Sequence, residues 1–215
     1  MNAPPLDLFN ASATALDINT VHAHVLAIVA RCLDREPSEV RLNSRLWGEL
    51  DAESLDMLDI VYSLERAFVI RLPRLNLLQR ASDLFGESTM FDGAIITPAG
   101  LALMCAAMPE IPPTFFKPNM RINDFRQGIT VESFVRVVVL CLNANRALRC
   151  YACQGTPRQI PDFPMEICCS VCGAAMELPS GEELVIADLL RIGSELGILR
   201  LPSPAPHVPA IASHS

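Results

Sequence analysis

Apolar residues recur at steps of three and four along several stretches of the chain, and each such stretch predicts a helix. Val21, Val25, Ile28, Val29, Cys32 and Leu33 follow Asp17, Asn19 and Thr20, which offer an N-cap, so a first helix is expected to end near Asp34–Pro37. A second is expected from Ser54 to Ile70, closed by Pro73. Its outward stripe reads as Asp56, Asp59, Ser63 and Arg66, and nearly everything else on it is apolar. Residues 38–53 between them read as an ordered loop anchored by Val40, Leu42, Leu46, Trp47 and Leu50. Leu75–Phe85 fits a helix. Thr97-Pro98, a cap followed by a first-turn proline, opens a short one to about Met108. Pro112, Pro113 and Pro118 then predict an extended linker. A further helix is expected from Thr130 to about Asn143 on Val131, Phe134, Val135, Val138 and Leu142. The last runs from Glu182 to about Leu196 on Val185, Leu189, Ile192 and Leu196. Residues 1–16, with Pro4-Pro5, read as a flexible leader, and residues 202–215, with Pro202, Pro204, Pro206 and Pro209, as a disordered tail. The fold class expected from this pattern is mainly α.

Composition narrows the class. The 215 residues suffice for one or two domains with a sizeable core. Hydrophobic residues make up 51% of the chain, yet no uninterrupted apolar run approaches the ~18–20 residues a membrane helix needs. The first residues carry neither a basic region nor an apolar signal core, so a cytoplasmic protein is expected. The net charge of -7 argues against nucleic-acid binding, whose footprint is basic. The acids are not spread evenly. Glu49, Asp51, Glu53, Asp56, Asp59 and Glu65 fall between Leu46 and Glu65, where there is no Lys or Arg.

Those acids surround a serine at a predicted helix start, in Leu50-Asp51-Ala52-Glu53-Ser54-Leu55-Asp56-Met57-Leu58-Asp59. The predicted helix then runs on to Phe68-Val69-Ile70-Arg71-Leu72-Pro73. In these residues the sequence resembles the acyl carrier proteins, whose pattern is Asp-Ser-Leu, an acidic helix and a closing Phe-x-Ile-x-Ile-Pro. Ser38-Glu39-Val40 through Leu46 to Leu50 resembles the family's loop between its first two helices, and Ile129–Phe134 the start of its last helix. The resemblance covers residues 20–73 and 125–143. It implies a helical bundle over residues 17–145, with 74–123 inserted where carriers have a short third helix. The expected bundle core is Val25, Val29, Leu33, Val61, Leu64, Phe68, Phe134 and Val138.

The resemblance also implies a function. Ser54 would carry 4′-phosphopantetheine, transferred from coenzyme A by a phosphopantetheinyl transferase, and the arm's thiol would hold acyl groups as thioesters. The partners implied are that transferase and the acyl-transferring and condensing enzymes of fatty-acid, polyketide or related biosynthesis. Glu53, Asp56, Met57 and Asp59 would contact them, and the local negative face would steer basic surfaces toward the serine. The chain departs from the pattern at Glu53, where the family usually has Asp. Two readings stand beside this one: Ser54 serves only as a helix N-cap, and the domain is an unloaded carrier fold used for protein interaction or regulation. No Gly-x-Ser-x-Gly elbow, nucleotide loop or acid–base pair supports an enzyme.

The second constellation is made of cysteines. Of eight in the chain, five lie between Cys150 and Cys172. Cys150-Tyr-Ala-Cys153 and Cys169-Ser-Val-Cys172 are separated by fifteen residues, a spacing that reads as a Cys₄ zinc site of the ribbon type. All four shell positions would be filled, giving a structural Zn²⁺ with no open coordination. A rubredoxin-like iron site uses the same ligands, and Cys168 competes with Cys169 as the third. Cys32, Cys105 and Cys141 read as buried small hydrophobes. The organisation expected is thus a leader, the helical domain, a small zinc ribbon at 146–180, a C-terminal helix at 181–201 and the tail.

Overall fold

A computed structural model describes residues 17–74 and 77–198. The expected leader and tail, and the last residues assigned to the C-terminal helix, lie outside these. Among the described residues the fold is mainly α, with two small antiparallel sheets.

Helix α1 spans Ile18–Cys32, and Asp17 caps it by accepting from the Asn19 N–H at 3.1 Å. Helix α2 spans Ser54–Phe68 and ends before the predicted Pro73 stop. Val69 takes a left-handed conformation at φ 50°, and the chain folds back over Glu65. The Glu65 backbone carbonyl accepts from Ile70, and its carboxylate accepts from the Leu72 N–H at 2.9 Å. Left-handed backbone is costly for a β-branched residue. Here Val69 is buried, and its carbonyl accepts from Asn145 Nδ2 at 2.8 Å.

Helix α3 spans Leu77–Phe85, α4 Glu87–Met90, and a two-stranded hairpin pairs β1 (Phe91–Asp92) with β2 (Ile95–Ile96). Helix α5 spans Pro98–Ala107, with Thr97 Oγ1 accepting from the Gly100 N–H. Helix α6 covers Ile122–Phe125 and runs into a 3₁₀ turn at Arg126–Gly128. The region between α5 and α6 is no simple extended linker, since Pro113–Phe115 forms another 3₁₀ turn. Helix α7 spans Val131–Ala147, longer than its pattern predicted, and α8 spans Gly181–Glu195. Between them lies an antiparallel sheet of β3 (Pro157–Ile160), β4 (Phe163–Cys169) and β5 (Ala175–Met176), with β4 central.

Apolar burial divides into three clusters. The largest joins α1, α2 and α7 with Val40, Leu46, Leu50 and Ala52 from the intervening loop. Val25, Val29, Leu64, Phe68 and Val138 of the expected core are buried there, while Leu33, Val61 and Phe134 pack at its edge. The second joins α3, the hairpin and α5 to one face of α8, through Leu78, Phe85, Ile96, Met104, Val185, Leu189 and Ile192. Residues 77–125 and the C-terminal helix therefore share one core. Gly193 marks the close approach: a Cβ there would stand 2.5 Å from the Phe85 ring. The third cluster seats the small sheet on the end of α2, through Val69, Ile167 and Leu178. Ion pairs lace the first two units together, because Arg136 of α7 faces both Glu110 at 3.3 Å and Asp188 of α8 at 3.8 Å.

Candidate functional site

Ser54 is the first residue of α2 and is exposed. It is not the N-cap. Glu53 holds that position in an extended conformation, and its backbone N–H donates to Asp56 Oδ2 at 2.7 Å. The Glu53 carboxylate faces the Asp56 N–H, so the two acids form a capping box. The reading of Ser54 as a structural cap is corrected by this arrangement: its hydroxyl is left with no capping duty. The N–H groups of the first helical turn and the positive end of the helix dipole lie beside it, a setting that favours an attached anion.

The structure redistributes the acids. Asp51 pairs with Arg35 at 3.3 Å, from a loop also tied by Arg35 to the Leu50 carbonyl. Glu65 is buried and pairs with Arg74 at 2.6 Å, so it does not belong to the outer negative face. Glu53 and Asp59 remain exposed, and Asp56 is half-buried within its cap. Met57, expected to contact partners, is half-buried and packs at the edge of the main core. The apolar groups that do face solvent on α2 are Leu55, Leu58 and Tyr62, at 75%, 61% and 54% exposure. They form a helical stripe starting beside Ser54 and continuing to Arg66, whose guanidinium donates to the Tyr62 hydroxyl at 2.7 Å. The periodicity contained this stripe. Reading the polar residues as the outward face shifted it by one position.

A groove of about 600 Å³ opens alongside Ser54. Ala52, Glu53, Ser54 and Leu55 form one side, Trp47 belongs to the loop before α2, and Asn123, Arg126 and Gln127 close the other side from α6 and the following turn. Arg126 lies over the Trp47 ring with 5.0 Å from its guanidinium carbon to the ring centroid. Nothing in local sequence spacing links these residues.

At the other end of the molecule Cys150, Cys153, Cys169 and Cys172 bring all four sulfurs within 4.8 Å of one another. The Cys150–Cys172 and Cys153–Cys169 separations are 3.7 Å and 3.3 Å, far beyond a disulfide bond and close to the ~3.8 Å edge of a tetrahedral Zn–S₄ shell. Cys150 and Cys153 sit on a turn just after α7, Cys169 is the last residue of β4, and Cys172 lies on the turn between β4 and β5. Cys168 is buried outside the cluster, so Cys169 is the residue that joins it. The backbone N–H of Cys172, with that of Val171, points at the Cys169 sulfur and lowers its pKa to about 6. At Cys153 the Gly155 N–H acts in the same direction, but the neighbouring sulfurs outweigh it and push the thiol up to about 12. Several thiolates cannot accumulate at such distances without a cation among them, so the donor set suits a bound metal. Gly155 is required by the packing, since a Cβ there would stand 2.7 Å from Cys169 Sγ. Cys141, by contrast, is buried in the helical core, where desolvation pushes its thiol up to about 12.

Comparison with known proteins bears on the first site. The acyl carrier protein of Borrelia garinii subsp. bavariensis is 33% identical over 58 residues, which is 72% of that protein and 27% of this chain. Acyl carrier proteins from two strains of Borreliella burgdorferi match with the same identity and coverage. The chain belongs to the acyl carrier protein family. Most of its length is additional to the part shared with these acyl carrier proteins. No family model and no solved structure matches the chain. Among the described residues no helix is long and apolar enough to cross a membrane.

Proposed function

We propose that the chain is a non-catalytic acyl carrier loaded at Ser54 with 4′-phosphopantetheine. The observation that carries this reading is an exposed serine at the first position of α2 whose capping role is taken by Glu53 and Asp56. The hydroxyl is thus free to take the phosphopantetheinyl group from coenzyme A as a phosphodiester, with the adenosine bisphosphate half of coenzyme A leaving, and the new anion would lie at the positive end of a helix. Helices α1, α2 and α7 would be the carrier bundle, with their shared core holding α2 in place. When bound, the arm supplies a terminal thiol on which acyl groups travel as thioesters. The chain's own residues present it: Leu55, Leu58 and Tyr62 offer an apolar strip for docking enzymes, and Glu53 and Asp59 steer basic surfaces toward it. The substitution of Glu for the family's usual Asp before the serine keeps both the charge and the cap. Fatty-acid, polyketide or related biosynthetic enzymes in the cytoplasm would supply and receive the acyl group.

The Cys₄ cluster is proposed to hold a structural Zn²⁺ that pins the small sheet between α7 and α8. Intact mass after incubation with coenzyme A and a broad-specificity phosphopantetheinyl transferase tests the carrier reading. A gain that disappears in Ser54→Ala supports it. No gain, with a standard carrier modified alongside, overturns it and leaves an unloaded interaction module. Elemental analysis tests the metal: about one zinc per chain is expected, and iron in its place would reassign the site.

A further inference from the structure

A second groove, of about 800 Å³, runs between the loop before α2 and the segment that links α5 to α6. Gln127 is the one lining residue it has in common with the groove beside Ser54. Its walls carry charges of both signs. Arg45 and Lys117 line it and are exposed, and neither pairs with a carboxylate among the described residues. Among the acids, Glu49 turns back to accept from the Arg45 backbone N–H at 3.2 Å, and Asp124 is exposed on α6. Glu110 differs from both. Its side chain is 4% exposed, and its two carboxylate oxygens are buried and accept no hydrogen bond among the described residues. Arg136 Nε lies 3.3 Å from one of them, but that guanidinium is shared with Asp188 at 3.8 Å. A buried carboxylate is costly until N–H donors reach it, so Glu110 calls for a ligand that brings donors and positive charge. Ile111 and Met120, both buried, and the half-buried Phe115 supply the apolar surface. The Phe115 ring crosses Gly128, where a Cβ would stand 2.3 Å from it.

A simple anion in this groove would meet Asp124 and Glu110, and a simple cation would meet Arg45 and Lys117. A molecule with one charge of each sign and an apolar group answers all of them. We propose that the groove binds a free α-amino acid with an apolar side chain. Its ammonium, with three donors, meets Glu110, its carboxylate takes Lys117 and Arg45, and its side chain lies on Ile111, Phe115 and Met120. Glu110 and Lys117 come from one segment bent by the 3₁₀ turn at Pro113–Phe115, so the ligand is short. The site gives the segment between α5 and α6 a binding role, and it does not depend on whether Ser54 is loaded.

Calorimetric titration of the unloaded full-length protein with L-phenylalanine and L-leucine tests this. Dissociation constants below about 1 mM are expected. N-acetylphenylalanine lacks the ammonium and phenylalaninamide lacks the carboxylate, and each is expected to bind at least about tenfold more weakly than phenylalanine. The double variant Arg45→Gln/Lys117→Gln, at two exposed positions, is expected to keep its circular dichroism and to bind phenylalanine no better than phenylalaninamide. Glu110→Gln is expected to bind phenylalanine no better than N-acetylphenylalanine. Should that buried variant fail to fold, the acetylated ligand on the unaltered protein tests the ammonium site by itself. No binding of either amino acid at about 10 mM overturns the proposal. Blocked ligands that bind as well as phenylalanine overturn it too, as does full affinity in the double variant. Binding of the dipeptide leucyl-phenylalanine in place of the amino acids overturns the assignment of the ligand as a single amino acid. Absence of any Ser54-dependent mass gain leaves all these outcomes unchanged.

Discussion

At the start of α2 the division of labour between adjacent residues can be measured. Glu53 and Asp56 close the cap, and Ser54 contributes nothing to it. Glu53→Ala is therefore expected to cost about 1 kcal/mol of stability, as loss of an N-cap does, and Ser54→Ala less than about 0.5 kcal/mol. Chemical denaturation of the unloaded proteins separates the two, and a cap-sized loss in Ser54→Ala would show that the hydroxyl is not free. Leu58 permits a complementary test of docking. It is 61% exposed, so Leu58→Asp is expected to leave stability within about 0.5 kcal/mol while slowing loading roughly tenfold, as loss of a contact residue does. An unchanged loading rate would remove the α2 strip from the docking surface. Much at this scale was legible in the sequence. The serine, its acidic neighbours and the four cysteines announce themselves by residue type and spacing. Exposure does not: Met57 and Leu58 are adjacent and equally apolar, and only the packing of α2 against its neighbours decides which one faces solvent.

At the scale of elements, periodicity located α1, α2, α7 and α8 because each buries a continuous stripe, and the Thr97-Pro98 cap located α5. It missed α4, the β1–β2 hairpin and α6, each of which is too short to complete a period. It also misplaced the end of α2. The stop is set by a long-range contact, Asn145 of α7 donating to the Val69 carbonyl, and no local pattern encodes that. Asn145→Ala would leave this buried carbonyl without its donor, and a loss of about 1–3 kcal/mol in denaturant unfolding is expected. A loss near zero would mean that the turn is held by Glu65 alone. The small sheet depends on its metal in a different way. Its own apolar cluster is Val69, Ile167 and Leu178, with a few partly buried neighbours, too little to order residues 150–178 unaided. Strong chelation is expected to abolish amide-exchange protection in β3–β5 while α1, α2 and α7 keep theirs. Protection retained in the sheet of metal-free protein would show that the thiols are not its staple.

At the scale of the whole molecule, the sequence divides the chain into a carrier, an insertion, a ribbon and a separate last helix, and the packing joins two of these. Helix α8 buries Val185, Leu189 and Ile192 against α3, the hairpin and α5, so the C-terminal helix completes the core of residues 77–125. The dependence is also electrostatic. Glu182 at the start of α8 pairs with Arg80 of α3, and Arg136 of α7 sits between Glu110 and Asp188. Removing residues 74–123 would strip the apolar face from α8 and take away Glu110 and the Asn123 side of the groove. Because α8 follows the small sheet, its release would also free the far end of that module. The expected outcome of such a deletion is a protein that keeps the α1–α2–α7 core but loses helical signal from α8, exposes apolar surface and binds a hydrophobic dye. Loading at Ser54 would persist, since the serine and its cap lie in the remaining core. Circular dichroism, dye binding and intact mass on one preparation read these separately. A deletion variant with native-like α8 and no dye binding would mean that the helix is held by α7 and the ribbon, and that the second core is dispensable to the fold.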